Sequence, residues 1–424
     1  MRFHIETYGC TSNFGNSSQV EGALISLGHL PSAIDEADVI IVNTCAVTEK
    51  TERKILKRLS QLEGDRLIIA GCLTAAIPGS VEQINCRKKL GVLTRSVAME
   101  IAESFSHSSS GTPSHKKRIQ VNPIPDSLCG IINIAEGCRG KCSYCVVRRA
   151  RGNLVSLDPE EIEERARSMI ESGIVELQLA AQDTAAYGLD IGSSLPELLT
   201  RIAEIPGKFM VRVGMMNPDT AHPVLRELTE ALRCPKVYKF LHLPVQSGSD
   251  EVLQKMCRGY RVDDYVRIVR LLREKLPGIS FATDVIAGFP GETDEDFAKT
   301  LKLMELVRPD KINVTRYSRR PRTPAAERYD MPDRIKKERS RRLTKLWLDI
   351  ASENNRRYLG KVLKVLVTER GRGRTMKART ENYVGVVIKG SPPLGSLHRT
   401  KITGSNPFYL TGVISPSFLV SINP

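Results

Sequence analysis

Short apolar runs alternate with amphipathic segments twice along this chain, and in both series cysteines follow the ends of apolar runs. In the first series, residues 3–8, 39–42 and 67–70 read as strands, while 17–27 and 49–62 repeat their apolar positions with helical spacing. Apolar strands separated by amphipathic helices predict a parallel sheet covered on both faces, a doubly wound α/β domain. Ligands of such sheets gather beyond the carboxyl ends of the strands. Cys10, Cys45 and Cys72 each follow a strand, 35 and 27 residues apart, so one strand–helix unit separates each from the next. Three thiolates can therefore meet on that edge and hold an iron–sulfur cluster. Three ordinary buried cysteines would have no reason to share it.

The second series begins at residue 131, with further strands expected at 175–180, 210–213, 239–243, 279–286 and 311–317. Six strands, most of them separated by helices, fit a partial (β/α)6 barrel, open relative to the eight-stranded form. After the first strand come Cys138, Cys142 and Cys145 in a C-x3-C-x2-C loop. Three soft ligands leave one coordination position for something else. A structural zinc site would close with a fourth Cys or His, and none follows nearby, so an incomplete zinc knuckle accounts for the loop less well. In barrels of this kind the loops after the strands carry the chemistry. Those loops here hold Gln182, Arg212, Gln246 and Asp284, which either meet a ligand or satisfy backbone groups at the strand ends, and Gly288 and Gly291, which let the backbone approach a ligand closely. His242 is assigned to the core, and Cys86, Cys129, Cys234 and Cys257 to ordinary thiols.

Charge points to a partner. The formal net charge is +15, and residues 316–379 alone hold 21 Lys and Arg against 7 Asp and Glu. A polyanion is expected there. No apolar run reaches the roughly 20 residues that span a bilayer, and the N-terminus lacks a signal-peptide pattern. A cytoplasmic protein with no membrane partner is expected, and in that reducing compartment its ten cysteines serve metals rather than disulfides. The Ser-, Gly- and Pro-rich run 106–117 marks a linker. From residue 360 short strands at 362–367, 383–388 and 410–413 predict a small β-barrel, in which Tyr383 and Phe408 either stack on bases or pack in the core. The expected division is 1–105, a linker 106–127, the barrel 128–358, and a last domain 359–424 whose removal should leave both cysteine sites intact, because their ligands all lie before it.

The Cys138/Cys142/Cys145 loop, with Tyr144 before its last cysteine, resembles the cluster loop of radical S-adenosylmethionine (SAM) enzymes. The first domain resembles the N-terminal domain of the methylthiotransferases through Thr7-Tyr8-Gly9-Cys10, Val42-Asn43-Thr44-Cys45 and Ala70-Gly71-Cys72. Residues 182–188 (QDTAAYG), 212–218 (RVGMMNP), 240–247 (FLHLPVQS) and 282–293 (ATDVIAGFPGET) resemble the archaeal and eukaryotic branch that acts on threonylcarbamoyladenosine in tRNA. Residues 318–325 are similar to the family's Arg-Pro-Gly-Thr-Pro-Ala motif, but Arg322 stands in place of its Gly, which argues against a special turn there and adds a cation. The last domain is similar in pattern to the TRAM domain, an RNA-binding module.

The resemblance implies two [4Fe-4S] clusters, one on Cys10, Cys45 and Cys72, the other on Cys138, Cys142 and Cys145, with SAM on the open iron of the second. It places Gln182, Arg212, Gln246 and Asp284 against SAM. It further implies that one SAM methylates a sulfur at the first cluster while another is cleaved reductively to a 5′-deoxyadenosyl radical. A methylthio group then replaces the hydrogen at C2 of the modified adenosine next to the anticodon. The alternatives are the same chemistry on isopentenyladenosine in tRNA or on a ribosomal protein, and a non-enzymatic iron–sulfur RNA-binding module, which would leave the open coordination position without a purpose. The sequence names neither the electron donor nor the sulfur donor.

Overall fold

The apolar runs of the first domain become strands because both of their faces are covered. In the computed structural model, which describes residues 1–103 and 127–415, β1 (Arg2–Thr7), β2 (Leu30–Pro31), β3 (Val39–Thr44), β4 (Leu67–Gly71) and β5 (Lys88–Lys89) form a parallel sheet in the order β2-β1-β3-β4-β5. Ile40 and Val42 enter one apolar layer with Ile55 and Leu59, while Val39 and Ile41 enter the opposite layer with Val20 and Leu24. Two-sided burial of this kind is what a parallel sheet needs. The helix Glu49–Leu59 is capped by the Thr48 hydroxyl and runs from Glu49 and Glu52 to Lys57 and Arg58, matching its dipole at both ends. The edge strands β2 and β5 were outside the expected set, since two residues with a Pro or two Lys make no apolar run.

All six strands of the second series are present: β6 (Cys129–Asn133), then, after the antiparallel pair β7 (Ala135–Glu136) and β8 (Val155–Ser156), β9 (Glu176–Ala180), β10 (Met210–Val213), β11 (Phe240–His242), β12 (Ser280–Ala287) and β13 (Lys311–Arg316). They pair in parallel as β6-β9-β10 and β11-β12-β13. Isolated bridges from Val211 to Val237 and from Met215 to His242 carry one sheet on to the other. One core containing Leu177, Leu179, Val211, Val213, Leu241 and Phe281 serves the whole arc. The β7–β8 pair draws together the two ends of the cysteine loop. Of the expected linker only Ser127 lies among the described residues.

The last domain is a closed barrel of β14 (Val362–Arg370), β15 (Thr375–Thr380), β16 (Gly385–Lys389), β17 (Leu397–Ser405) and β18 (Leu410–Ile414), in the order β14-β15-β16-β18-β17. The strands β15 and β17 escape a search for apolar runs because Met376, Ala378, Thr400 and Ile402 turn inward between outward-facing Lys and Arg residues.

This domain closes the floor of the larger barrel. Lys239 N donates to Glu381 O (2.9 Å) and Asn382 Nδ2 to Gly278 O (2.9 Å). Tyr383, at a φ of +66°, packs edge-on to Tyr238 with centroids 4.8 Å apart. Its hydroxyl donates to Oε1 of the fully buried Glu176 (3.1 Å), and the Tyr238 hydroxyl donates to Oε2 (3.1 Å). Of the two aromatic residues singled out, Tyr383 is therefore core, while Phe408 stays exposed against Trp347.

The basic tract is also partly internal. On the helix Asp333–Arg356, Lys336 pairs with Asp330 (3.0 Å) and Arg339 with Glu292 (2.6 Å) and Asp294 (2.7 Å), both cations being buried.

Candidate active site

Each N-terminal cysteine stands at the end of a strand. Cys10 is the N-cap of the helix Thr11–Ser26, Cys45 follows β3, and Cys72 opens the helix Cys72–Ala76 directly after β4. Gly9 has a φ of +117°, and a Cβ there would lie 2.9 Å from Cys45 Cβ, so only glycine lets the first segment approach the second this closely. Burial, followed by the neighbouring Cys72 and Cys10, pushes the Cys45 thiol up to about 11. Sequence reasoning passed over Asn13, whose Nδ2 donates to Tyr8 O (2.6 Å) and Thr44 O (3.0 Å) and whose Oδ1 accepts from Cys72 Sγ (3.7 Å).

The second cysteine loop is pinned from three directions. Ser143 N donates to Met256 O (3.0 Å), the Ser143 hydroxyl to Lys255 O (2.8 Å), and Ala325 N to Ser143 O (2.9 Å). Tyr144 stacks edge-on against Phe289, with centroids 6.3 Å apart. Gly140 N donates to Cys138 Sγ (3.2 Å) and Arg258 Nη1 to Cys142 Sγ (3.3 Å). Burial raises the Cys138 thiol to about 11.

The 318–325 segment thus serves as a clasp as much as a cationic surface. Ala325 holds the cysteine loop, buried Arg320 pairs with Glu52 of the first domain (2.5 Å), and Ser318 Oγ accepts from Glu49 N (3.0 Å). Arg322 keeps a φ of +61°, so the special turn persists without glycine, contrary to the expectation from its side chain.

Between the two cysteine loops lies a cleft of about 230 Å³ lined by Val47, Tyr144, Cys145, Gln246, Asp284 and Asn313, among others. Gln246 sits at a φ of +68° with its N–H on Asp284 O (2.8 Å). Burial would raise the Asp284 carboxyl, but hydrogen bonds from His242 (2.8 Å) and Asn313 (2.7 Å) hold it below the usual range. His242 is therefore a partner of the site and not simply core, which corrects its assignment. Only its pairing with Asp284 reveals this. Gln182 follows β9 with both side-chain polar atoms buried and unbonded, and its neighbour Asp183 lies within electrostatic reach of Cys138.

The guanidinium of Arg212 lies over the rings of Phe240 (5.4 Å) and Tyr383 (5.5 Å) with its Nε buried and unbonded, and neither Arg212 nor Gln182 lines the cleft. One other expectation changes. At Gly288 and Gly291 the close approach is to protein, since a Cβ would meet Lys336 Cγ at 2.4 Å and Lys255 Nζ at 3.3 Å.

The donor sets fit iron–sulfur clusters. Each comprises three thiols, and burying such thiols as thiolates is costly unless a metal shares their charge. Among the described residues no three Cys, His, Asp or Glu side chains converge on one ion; in a cluster each cysteine binds its own iron, so a cluster does not require that convergence. The unbonded amide of Gln182 fits a polar ligand beside them.

Comparison with known proteins agrees with this geometry. Residues 132–304 match the radical SAM superfamily, 2–90 the uncharacterized protein family UPF0004, and 356–414 the TRAM domain. A solved radical SAM methyltransferase, TsrM from Kitasatospora setae, shares the fold with a TM-score of 0.57 at 16% identity over 77% of each chain. An Archaeoglobus fulgidus protein named "Probable threonylcarbamoyladenosine tRNA methylthiotransferase" is 42% identical over 98% of this chain and 99% of its own length. The threonylcarbamoyladenosine tRNA methylthiotransferase of Drosophila melanogaster is 35% identical over 97% of this chain and 77% of its own. That of Homo sapiens is 34% identical over 96% and 73%. With relatives this similar along nearly its full length, and with the three domains in the same chain, the protein belongs to the threonylcarbamoyladenosine tRNA methylthiotransferase family.

Proposed function

We propose that this chain places a methylthio group on C2 of N6-threonylcarbamoyladenosine next to the anticodon of tRNA, using SAM as methyl donor and radical source. The observation that carries the reading is the cleft itself, where Val47 beside Cys45 faces Tyr144 and Cys145 of the other loop across polar strand ends. A base seated there is within reach of both cysteine sites. When bound, the two [4Fe-4S] clusters and SAM supply the sulfur transfer and the reductive cleavage.

The chain's own residues supply position. Cys10, Cys45 and Cys72 hold one cluster, and Cys138, Cys142 and Cys145 the other. Gln182 gives its unbonded amide to SAM. Asp284, kept ionised by His242 and Asn313, offers a carboxylate to hydroxyl or amino donors beside Gln246. Arg212, whose Nε is also buried without a partner, stands with Gln182 as a contact for the same ligand.

Exposed cations on the helix Asp333–Arg356, among them Arg334, Lys337, Arg341 and Lys345, bind tRNA phosphates together with Arg319. No helix among the described residues is long and apolar enough to cross a membrane, and we assign the protein to the cytoplasm with its substrate.

Mass spectrometry of tRNA nucleosides from cells lacking this protein tests the proposal. The methylthio form of threonylcarbamoyladenosine should vanish and the unthiolated form accumulate. Unchanged levels, or loss of the isopentenyladenosine derivative instead, would overturn it.

A further inference from the structure

Asn13 stands where the three N-terminal cysteine segments meet. Its Nδ2 bonds the carbonyl of Tyr8, just ahead of Gly9 and Cys10, and that of Thr44, directly ahead of Cys45, while its Oδ1 accepts from Cys72 Sγ. That same oxygen accepts from Arg151 Nη2 at 2.6 Å. Arg151 belongs to the other cysteine site: it ends the helix Val147–Arg151, which starts two residues after Cys145. Its side chain is 1% exposed and paired with Glu136, and it also donates to Asn16 Oδ1 at 2.9 Å. Asn16 in turn donates to Glu136 (2.8 Å). The Arg151 Nε is buried without a partner, and the Cys72 and Cys10 thiols are within electrostatic reach of the guanidinium.

Neither an amide nor a guanidinium is an ordinary cluster ligand. The bond from the Cys72 thiol is given up once that sulfur binds iron as a thiolate, but Asn13 Nδ2 still fixes the backbone ahead of Cys10 and Cys45, and a second domain aims a cation at Asn13. We infer that Asn13 and Arg151 are the positioning pair of the N-terminal cysteine site, Asn13 setting the spacing of the segments that carry Cys10 and Cys45, and Arg151 fixing Asn13 and lending positive charge from the helix that follows the other cysteine loop. This rests on the reading that Cys10, Cys45 and Cys72 hold a cluster. Charge and hydrogen bonding beside the sulfurs are levers on a cluster's potential, and a nearby cation favours the reduced, more negative state. A purely structural arginine would leave that potential alone.

The test uses the full chain carrying Cys138→Ala, Cys142→Ala and Cys145→Ala, reconstituted anaerobically so that only the N-terminal site retains iron, about four per chain. Into it go Asn13→Ala, Arg151→Gln and Arg151→Lys. Asn13→Ala should lower retained iron at least threefold. Arg151→Gln should move the midpoint in a dithionite titration to more negative values and alter the electron paramagnetic resonance spectrum, with Arg151→Lys restoring much of the shift. If Asn13→Ala fails to fold, the two Arg151 variants decide alone, since they act from the neighbouring domain. Parent-like iron in Asn13→Ala, or an unchanged potential in Arg151→Gln, would overturn the inference. A background variant that holds no iron would instead overturn the cysteine assignment beneath it.

Discussion

At the floor of the large barrel a buried carboxylate has both oxygens bonded, and at its mouth a buried amide has neither polar atom bonded. Glu176 and Gln182 flank the same strand, β9, six positions apart. Glu176 accepts from Gln178 (2.7 Å), Tyr383 and Tyr238, whereas Gln182 has no partner for its oxygen or its nitrogen. Native proteins rarely leave buried polar groups unpaired. The protein thus supplies every partner that Glu176 needs, and supplies none to Gln182.

The sharpest way to break this contrast is at the mouth. Replacing Cys138, Cys142 and Cys145 by Ala should leave about half of the roughly eight irons and abolish release of 5′-deoxyadenosine from SAM. The same change at Cys10, Cys45 and Cys72 should also halve the iron, yet leave that release in place while the methylthiolated product disappears. Iron analysis with chromatography of both products checks this, and identical behaviour of the two triple variants would refute separate roles.

At the floor, a chain ending before Gly360 would leave Glu176 buried without Tyr383 and expose Tyr238. Losing a donor to a buried polar group together with a packed aromatic ring costs about 3–5 kcal/mol, so the thermal unfolding midpoint should fall by roughly 5 °C. The milder Tyr383→Phe should cost about 1–3 kcal/mol by leaving one carboxylate oxygen short of a donor. A truncated chain that melts like the intact one would show that the floor does not depend on the last domain.

Gln182→Ala should do the reverse of a floor variant. SAM binding is expected to weaken about tenfold, near 1.4 kcal/mol, with the melting curve unmoved because no protein partner is lost. Calorimetric titration beside a melt separates these outcomes. Smallest is the effect at the surface: Arg319→Glu should lower tRNA affinity modestly and reduce the slope of log affinity against log salt by about one, read from titrations at several salt concentrations.

Much of the mouth was legible in sequence because strand ends are local. Cys10, Cys45 and Cys72 stand one strand–helix unit apart, and the C-x3-C-x2-C loop lies within eight residues. What stayed hidden depends on distant pairings. Tyr383 meets Glu176 across 207 residues, and Arg151 meets Asn13 across 138. No periodicity records such contacts. The strands β15 and β17 were hidden for a different reason, since alternation between small inward residues and outward cations leaves no apolar run. Charge counting misled at Arg320, Lys336 and Arg339, whose cations are spent on internal carboxylates.

The Arg320–Glu52 pair sets an order of assembly. The first domain has its own two-sided core and can fold as it leaves the ribosome, as N-terminal domains generally do. Yet Glu52 waits for a partner 268 residues downstream, and Ser143 waits for Ala325. At about 5–20 residues per second, Glu49 and Glu52 stand without the clasp for tens of seconds during synthesis. A ribosome stalled ahead of residue 318 would therefore hold the nascent first domain with its own core formed and its seam to the second domain unfastened.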